Sequence, residues 1–163
     1  MTLDKFTIKA QEAIQQAVSI AQQSGQQSIE PVHLLKGITA KSKDITNFLF
    51  RKLGVNVNHI ELLLEQEILH LPRVQGGEPY LSNESNRVLQ EAVNISQKLG
   101  DEFVSIEPVL LALLTIGSTA SRIMKDAGIS EKDMRAAIAE LRQGQKVQSQ
   151  SADENYQSLD KYA

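Results

Sequence analysis

The chain contains no cysteine and no tryptophan, and its three tyrosines and four phenylalanines amount to 4% of 163 residues. Without cysteine there is no disulfide, no thiolate nucleophile and no sulfur-ligated structural zinc. With so few rings, the core must be built from Leu, Ile, Val and Ala. A formal net charge of −3 supplies no clustered cation for a phosphate backbone, so nucleic acid is set aside as a partner. No apolar run approaches the roughly 18 to 20 residues of a membrane span, and residues 1–7 lack the basic flank and apolar stretch of a signal peptide. A cytoplasmic location without membrane contact is expected.

Catalytic motifs are missing too. The one glycine pair, Gly76-Gly77, lies between Pro72 and Pro79 with no following Lys-Ser/Thr, so it is a linker and not a phosphate-binding loop. His33, His59 and His70 are scattered, and none belongs to a His-Glu-x-x-His zinc motif. Asp101, Glu102 and Glu107 are near one another in sequence, but nothing around them supplies a nucleophile or a dry site for acid–base work. Within these residues no enzymatic activity, metal or cofactor is expected.

What the chain has instead is repetition. Ala13-Ile-Gln-Gln-Ala-Val-Ser-Ile-Ala-Gln-Gln-Ser-Gly25 recurs as Val88-Leu-Gln-Glu-Ala-Val-Asn-Ile-Ser-Gln-Lys-Leu-Gly100. Each copy then reaches Ile-Glu-Pro-Val, at 29–32 and at 106–109. On that alignment Glu30 matches Glu107, and the short loop after Gly25 becomes a longer one after Gly100, adding Asp101, Glu102 and Phe103.

Apolar residues recur at helical spacing in both copies, and neither shows sustained strand alternation. Thr7 is placed to cap a first helix ending near Gly25, and Pro31 suits the first position of a second. A third helix is expected over 45–52 and a fourth over 56–69. In the second copy Ser82 caps a helix running to Gly100 and Pro108 opens a short one through Leu114. Further helices cover 120–126 and, capped by Ser130, run to Arg142. The expected fold is all-α: about eight helices in two pseudo-twofold-related four-helix repeats. Repeat one covers 1–70, a Pro/Gly linker 71–81 and repeat two 82–143. Residues 144–163, rich in Gln, Ser, Asp and Lys, read as a flexible linker of a longer protein.

The opening Leu3-Asp4-Lys5-Phe6-Thr7, the stretch from Ile29 to Leu35, and the linker Leu71-Pro-Arg-Val-Gln-Gly-Gly77 together resemble the N-terminal domain of Clp-family AAA+ chaperones. The linker is closest to that of the ClpB-type disaggregases and differs from the protease-associated branch. The resemblance covers essentially the whole chain. It implies a double Clp-N repeat that binds unfolded or aggregated polypeptides. The parent would be a homohexameric ATPase, threading those polypeptides with a DnaK-type chaperone. ATP and Mg would belong to modules outside these residues, and the domain alone would be a monomer. The alternative is an adaptor-docking domain of a Clp protease ATPase.

The resemblance also implies site residues. The family's polar substrate contacts fall on Thr7, Asp101 and Glu107, and an apolar groove residue falls on Ile95, while Glu91 and Pro108 replace other apolar groove positions. By internal symmetry, Glu30 and Ser82 form a second candidate pocket. From the residues alone, Thr7 and Glu107 sit at helix N-termini, where free N–H groups favour oxygen ligands and anions. Asp101 follows a helix-ending glycine and is expected to be exposed. The plainer alternative makes Thr7 a cap, Glu107 a dipole partner and Asp101 a turn residue.

Overall fold

The leucine- and alanine-rich stripes fold as helices that share one core. In a computed structural model describing residues 3–156, repeat one comprises α1 (Ile8–Gln23), α2 (Pro31–Lys41), α3 (Lys43–Lys52) and α4 (Val57–His70). Repeat two comprises α5 (Asn83–Leu99), α6 (Ile106–Thr115), α7 (Thr119–Asp126) and α8 (Glu131–Arg142). The all-α expectation holds. Thr7 Oγ1 accepts from Ala10 N at the start of α1, and Ser82, Asn56 and Ser130 cap α5, α4 and α8 in the same manner.

α1 packs on α2 and α5 on α6, and the repeats meet where α2 touches α5, α6 and α7 and where α3 touches α8. The core is almost wholly aliphatic: Leu34, Leu35, Leu49, Leu64, Leu89, Leu110 and Leu113 are buried along it, with Phe6, Phe48 and Phe50 as its large rings. No single helix among the described residues is long and apolar enough to cross a membrane.

Two minimal pairings interlock the repeats. β1 (Ser28–Ile29), between α1 and α2, runs parallel to β2 (Tyr80–Leu81), which leads into α5. Phe6, which leads into α1, bridges in parallel to Val104, between α5 and α6. Each repeat thus sends its leading strand into the other, so neither half closes by itself. The linker 71–81 is non-helical as expected, and Val74 N and Tyr80 N donate to Gly25 and Gln27 carbonyls.

This pairing corrects the repeat alignment. Leu81 precedes the cap Ser82 and pairs with Ile29; Phe6 precedes the cap Thr7 and pairs with Val104. Ile29 is therefore equivalent to Val104, and Glu30, the N-cap of α2, to Ser105, the N-cap of α6. The loops from Gly25 to Ile29 and from Gly100 to Val104 have equal length, with no insertion. Glu107 corresponds to Val32 and not to Glu30, and Asp101 corresponds to Gln26. The shared Ile-Glu-Pro-Val is out of structural register by two residues. For the same reason α6 starts at Ile106, and Pro108 lies inside its first turn instead of opening it.

Residues 144–156 are not the free linker that their polarity suggests. Val147 and Asp153 are fully buried, and a 3-10 turn spans Ala152–Tyr156. Residues 157–163 of the expected linker lie outside the described residues.

Candidate functional site

Thr7 from the start of α1, Glu107 from the first turn of α6 and Asp101 from the loop before it are brought to one place. Each arrives there by local logic. Gly100 takes φ 79°, a left-handed turn that L side chains resist, and Asp101 follows it with its backbone N–H bonded to Ser96. Ser105 holds the extended N-cap conformation, which sends Glu107 inward at the N-terminal end of α6.

The cluster is covered and paired. Arg142, at the end of α8, donates from Nε to Glu107 Oε2 at 2.7 Å, from Nη1 to Asp101 Oδ1 at 3.0 Å and from Nη2 to Ser105 Oγ at 2.9 Å. The Asp101 and Glu107 side chains are 0% exposed, which corrects the expectation of an exposed Asp101. Two carboxylates gathered around one guanidinium offset the cost of burying all three charges.

Thr7 is buried too, and its hydroxyl donates to Asp153 Oδ2 at 2.7 Å. Asp153 belongs to a strap formed by residues 145–153 that crosses this face. Val147 N donates to Asp101 Oδ1 at 3.0 Å, and Val147 O accepts from Glu102 N and Phe103 N at 2.8 and 3.3 Å. Gln150 O accepts from Ile8 N at 2.8 Å. Burial pushes the Asp153 carboxyl up to about 6, opposed by the Thr7 hydrogen bond and reinforced by the negative charge of Glu107. Glu107 Oε1 and Asp153 Oδ1 are buried with no hydrogen-bond partner among the described residues.

The equivalent place in repeat one is built from neutral groups. Gln26 donates to the Ile68 carbonyl, and its Oε1 lies 2.7 Å from His33 Nε2. Glu30 N donates to His33 Nδ1 at 2.8 Å, so the network requires the neutral Nε2–H tautomer. Burial lowers His33 to about 4, against the raising effect of Glu30. Gln26, Val32 and Ile68 stand where repeat two has Asp101, Glu107 and Arg142.

The second candidate pocket forms differently from the symmetric expectation. Ser82 is occupied as a cap for Ser85 N, and the Glu30 carboxylate accepts from Ser28 Oγ at 2.7 Å. Glu30 does line a cavity of about 260 Å³ between the repeats, together with Val32, Glu67, Leu71, Glu84 and Ser118. Ile95 is packed into the core and 4% exposed.

Sequence reasoning missed Arg142, Val147 and Asp153. Arg142 was findable: it continues the Met134–Ile138 face of α8 at four-residue spacing, and an arginine there needs buried acids. Val147, an aliphatic residue in a polar tract, was a weaker sign. Asp153 carried none.

The described residues thus form interlocked helical repeats with an extended segment of the same chain seated across two helix N-termini. The chain belongs to the Clp family: residues 5–127 match the Clp repeat (R) N-terminal domain. It is 56% identical over its whole length to the Chaperone protein ClpB of Bacteroides thetaiotaomicron and 48% identical to that of Porphyromonas gingivalis. It spans 19% of the length of each of these relatives. Among solved structures, the Hsp104 N-terminal domain of Candida albicans matches with TM-score 0.81 and 26% identity, over 92% of this chain and 99% of that one. A ClpV N-domain in complex with a VipB peptide shares the fold, with TM-score 0.68 and 20% identity over 84% of this chain and 86% of that one.

Proposed function

We propose that this chain is the polypeptide-binding N-terminal domain of a ClpB-type disaggregase. It engages unfolded or aggregated proteins, which the parent homohexamer threads by ATP hydrolysis in concert with a DnaK-type chaperone in the cytoplasm. ATP and Mg act in modules outside these residues, and the domain by itself is a monomer. The observation that carries this reading is the 56% identity to a ClpB chaperone over the entire chain. The contact surface is the face bearing Thr7, Asp101 and Glu107, where an extended segment of the same chain already takes main-chain and side-chain hydrogen bonds at two helix N-termini. Individual contacts are weak, and six linked copies raise the effective concentration of the site.

The test is titration of a fluorescent, reduced and alkylated ribonuclease against the chain and against Thr7→Val and Glu107→Gln variants, with melting curves confirming that each is folded. Saturable binding that weakens in folded variants supports the assignment, and binding indifferent to both substitutions removes these residues from it. A second reading, docking of a dedicated adaptor segment, is favoured by the ClpV N-domain, whose structure holds a VipB peptide. It predicts that natively folded partners are retained where the unfolded ribonuclease is not.

A further inference from the structure

We infer that residues 145–153 are an internal occupant of the Thr7–Glu107 site, displaced by incoming polypeptide, and that the segment accepted in their place is extended, with a small aliphatic residue and, six positions on, a carboxamide side chain. This rests on the polypeptide-binding reading of the site.

Three observations carry it. First, the strap is held as a bound peptide is held. Val147 uses both its N–H and its carbonyl on the loop after α5, Gln150 takes the free Ile8 N–H at the start of α1, and the Val147 side chain is 0% exposed. Main-chain bonds of this kind accept many sequences, while the Val147 seat selects a small aliphatic group.

Second, the equivalent place in repeat one is also crossed by an extended segment of chain: Val74 N and Tyr80 N donate to the Gly25 and Gln27 carbonyls, and a cavity of about 260 Å³ bordered by Val32, Glu30, Glu84 and Leu71 remains beside it.

Third, the fit is incomplete in a way that specifies a better ligand. Asp153 accepts from Thr7, yet its Oδ1 and Glu107 Oε1 stay buried and unpaired. A carboxamide in that seat accepts from Thr7 through its oxygen and brings an N–H donor to a place where two buried acceptors, Asp153 Oδ1 and Glu107 Oε1, have none.

An occupant that closes a site nine-tenths of the time lowers apparent affinity about tenfold. The test uses the full chain at pH 7.5 in three forms: unaltered, Val147→Asp with Asp153→Ala, and Asp153→Asn. Amide exchange at Ile8, Glu102 and Phe103 reports the strap, and the reduced, alkylated ribonuclease reports the site. The double variant is expected to speed exchange at all three amides and to bind roughly tenfold tighter. Asp153→Asn is expected to slow exchange and weaken binding, because its strap competes better. Unchanged exchange in the double variant overturns the docked strap. An opened strap with unchanged affinity overturns the competition alone. Absence of ribonuclease binding by all three forms overturns the polypeptide-binding reading, and this inference with it.

Discussion

Asp153 receives the Thr7 hydroxyl at 2.7 Å across 146 residues of sequence, joining the end of the strap to the first helix cap of the fold. Three charged or titratable groups bear on it. Lys9 from α1 favours its ionised form, Glu107 from α6 disfavours it, and Arg142 from α8 neutralises Glu107.

The docked Asp153 carboxyl titrates near 6 and an undocked one near the ordinary 3.8, so the docked state holds its proton more tightly. Docking is therefore strongest below pH 4 and weakens as pH rises through 6, by roughly 3 kcal/mol in total. Carbon-detected NMR of the Asp153 carboxyl should show an inflection near 6. Asp153→Asn should leave the strap docked and its amide shifts independent of pH between 4 and 8.

His33 has the opposite slope. Its Nδ1 accepts from Glu30 N, and protonation there sets a donor against a donor. With the buried ring near 4 and an unfolded one near 6.5, stability is complete above pH 6.5 and falls by about 3 kcal/mol as pH drops to 4. Urea unfolding across that range should show the loss, and His33→Gln should flatten it.

Arg142 is the one cation between Glu107 and Asp101 in the described network. Arg142→Met strands two buried carboxylates and should cost about 3–5 kcal/mol, read as a melting temperature lowered by about 10 °C. Installing the repeat-one residues together, as Asp101→Gln, Glu107→Val and Arg142→Ile, should recover most of that loss, because a neutral cluster of similar size carries no desolvation penalty. Failure of the triple variant to exceed Arg142→Met in stability would refute the structural equivalence of the two clusters.

The eight helices were legible because their signals are local: a hydroxyl cap, a left-handed glycine and an apolar stripe each act within a turn or two. The convergence of Thr7, Asp101 and Glu107 was legible only through family resemblance. Their burial was not, because it depends on Arg142 and Asp153, which reach them from distant parts of the chain. The repeat register was misread for a related reason. Ile-Glu-Pro-Val matches letter for letter at 29–32 and 106–109, but the bridges Ile29–Leu81 and Val104–Phe6 fix the register, and they lie between the repeats.

That register also places Gly37 of α2 opposite Ala112 of α6, and this difference is testable. A Cβ on Gly37 would collide with the Ala13 carbonyl oxygen and sit 3.0 Å from Ala17 N and 3.3 Å from Ala17 Cβ. The two obstructing polar atoms are backbone of α1, so no side chain can rotate away; α1 and α2 would have to part. Ala in place of Gly favours a helix by about 1 kcal/mol, and overpacking against a fixed backbone costs more, about 1–3 kcal/mol or above. Gly37→Ala should therefore be destabilising by a net 1–2 kcal/mol in chemical denaturation. Ala112→Gly, which only loses helix propensity and a buried methyl, should cost about 1–2 kcal/mol by a different route. The pair separates on repacking: shrinking Ala17 to Gly should leave the Gly37→Ala loss in place, because the Ala13 carbonyl and Ala17 N remain in the way, whereas the equivalent Ala92→Gly should deepen the loss in Ala112→Gly.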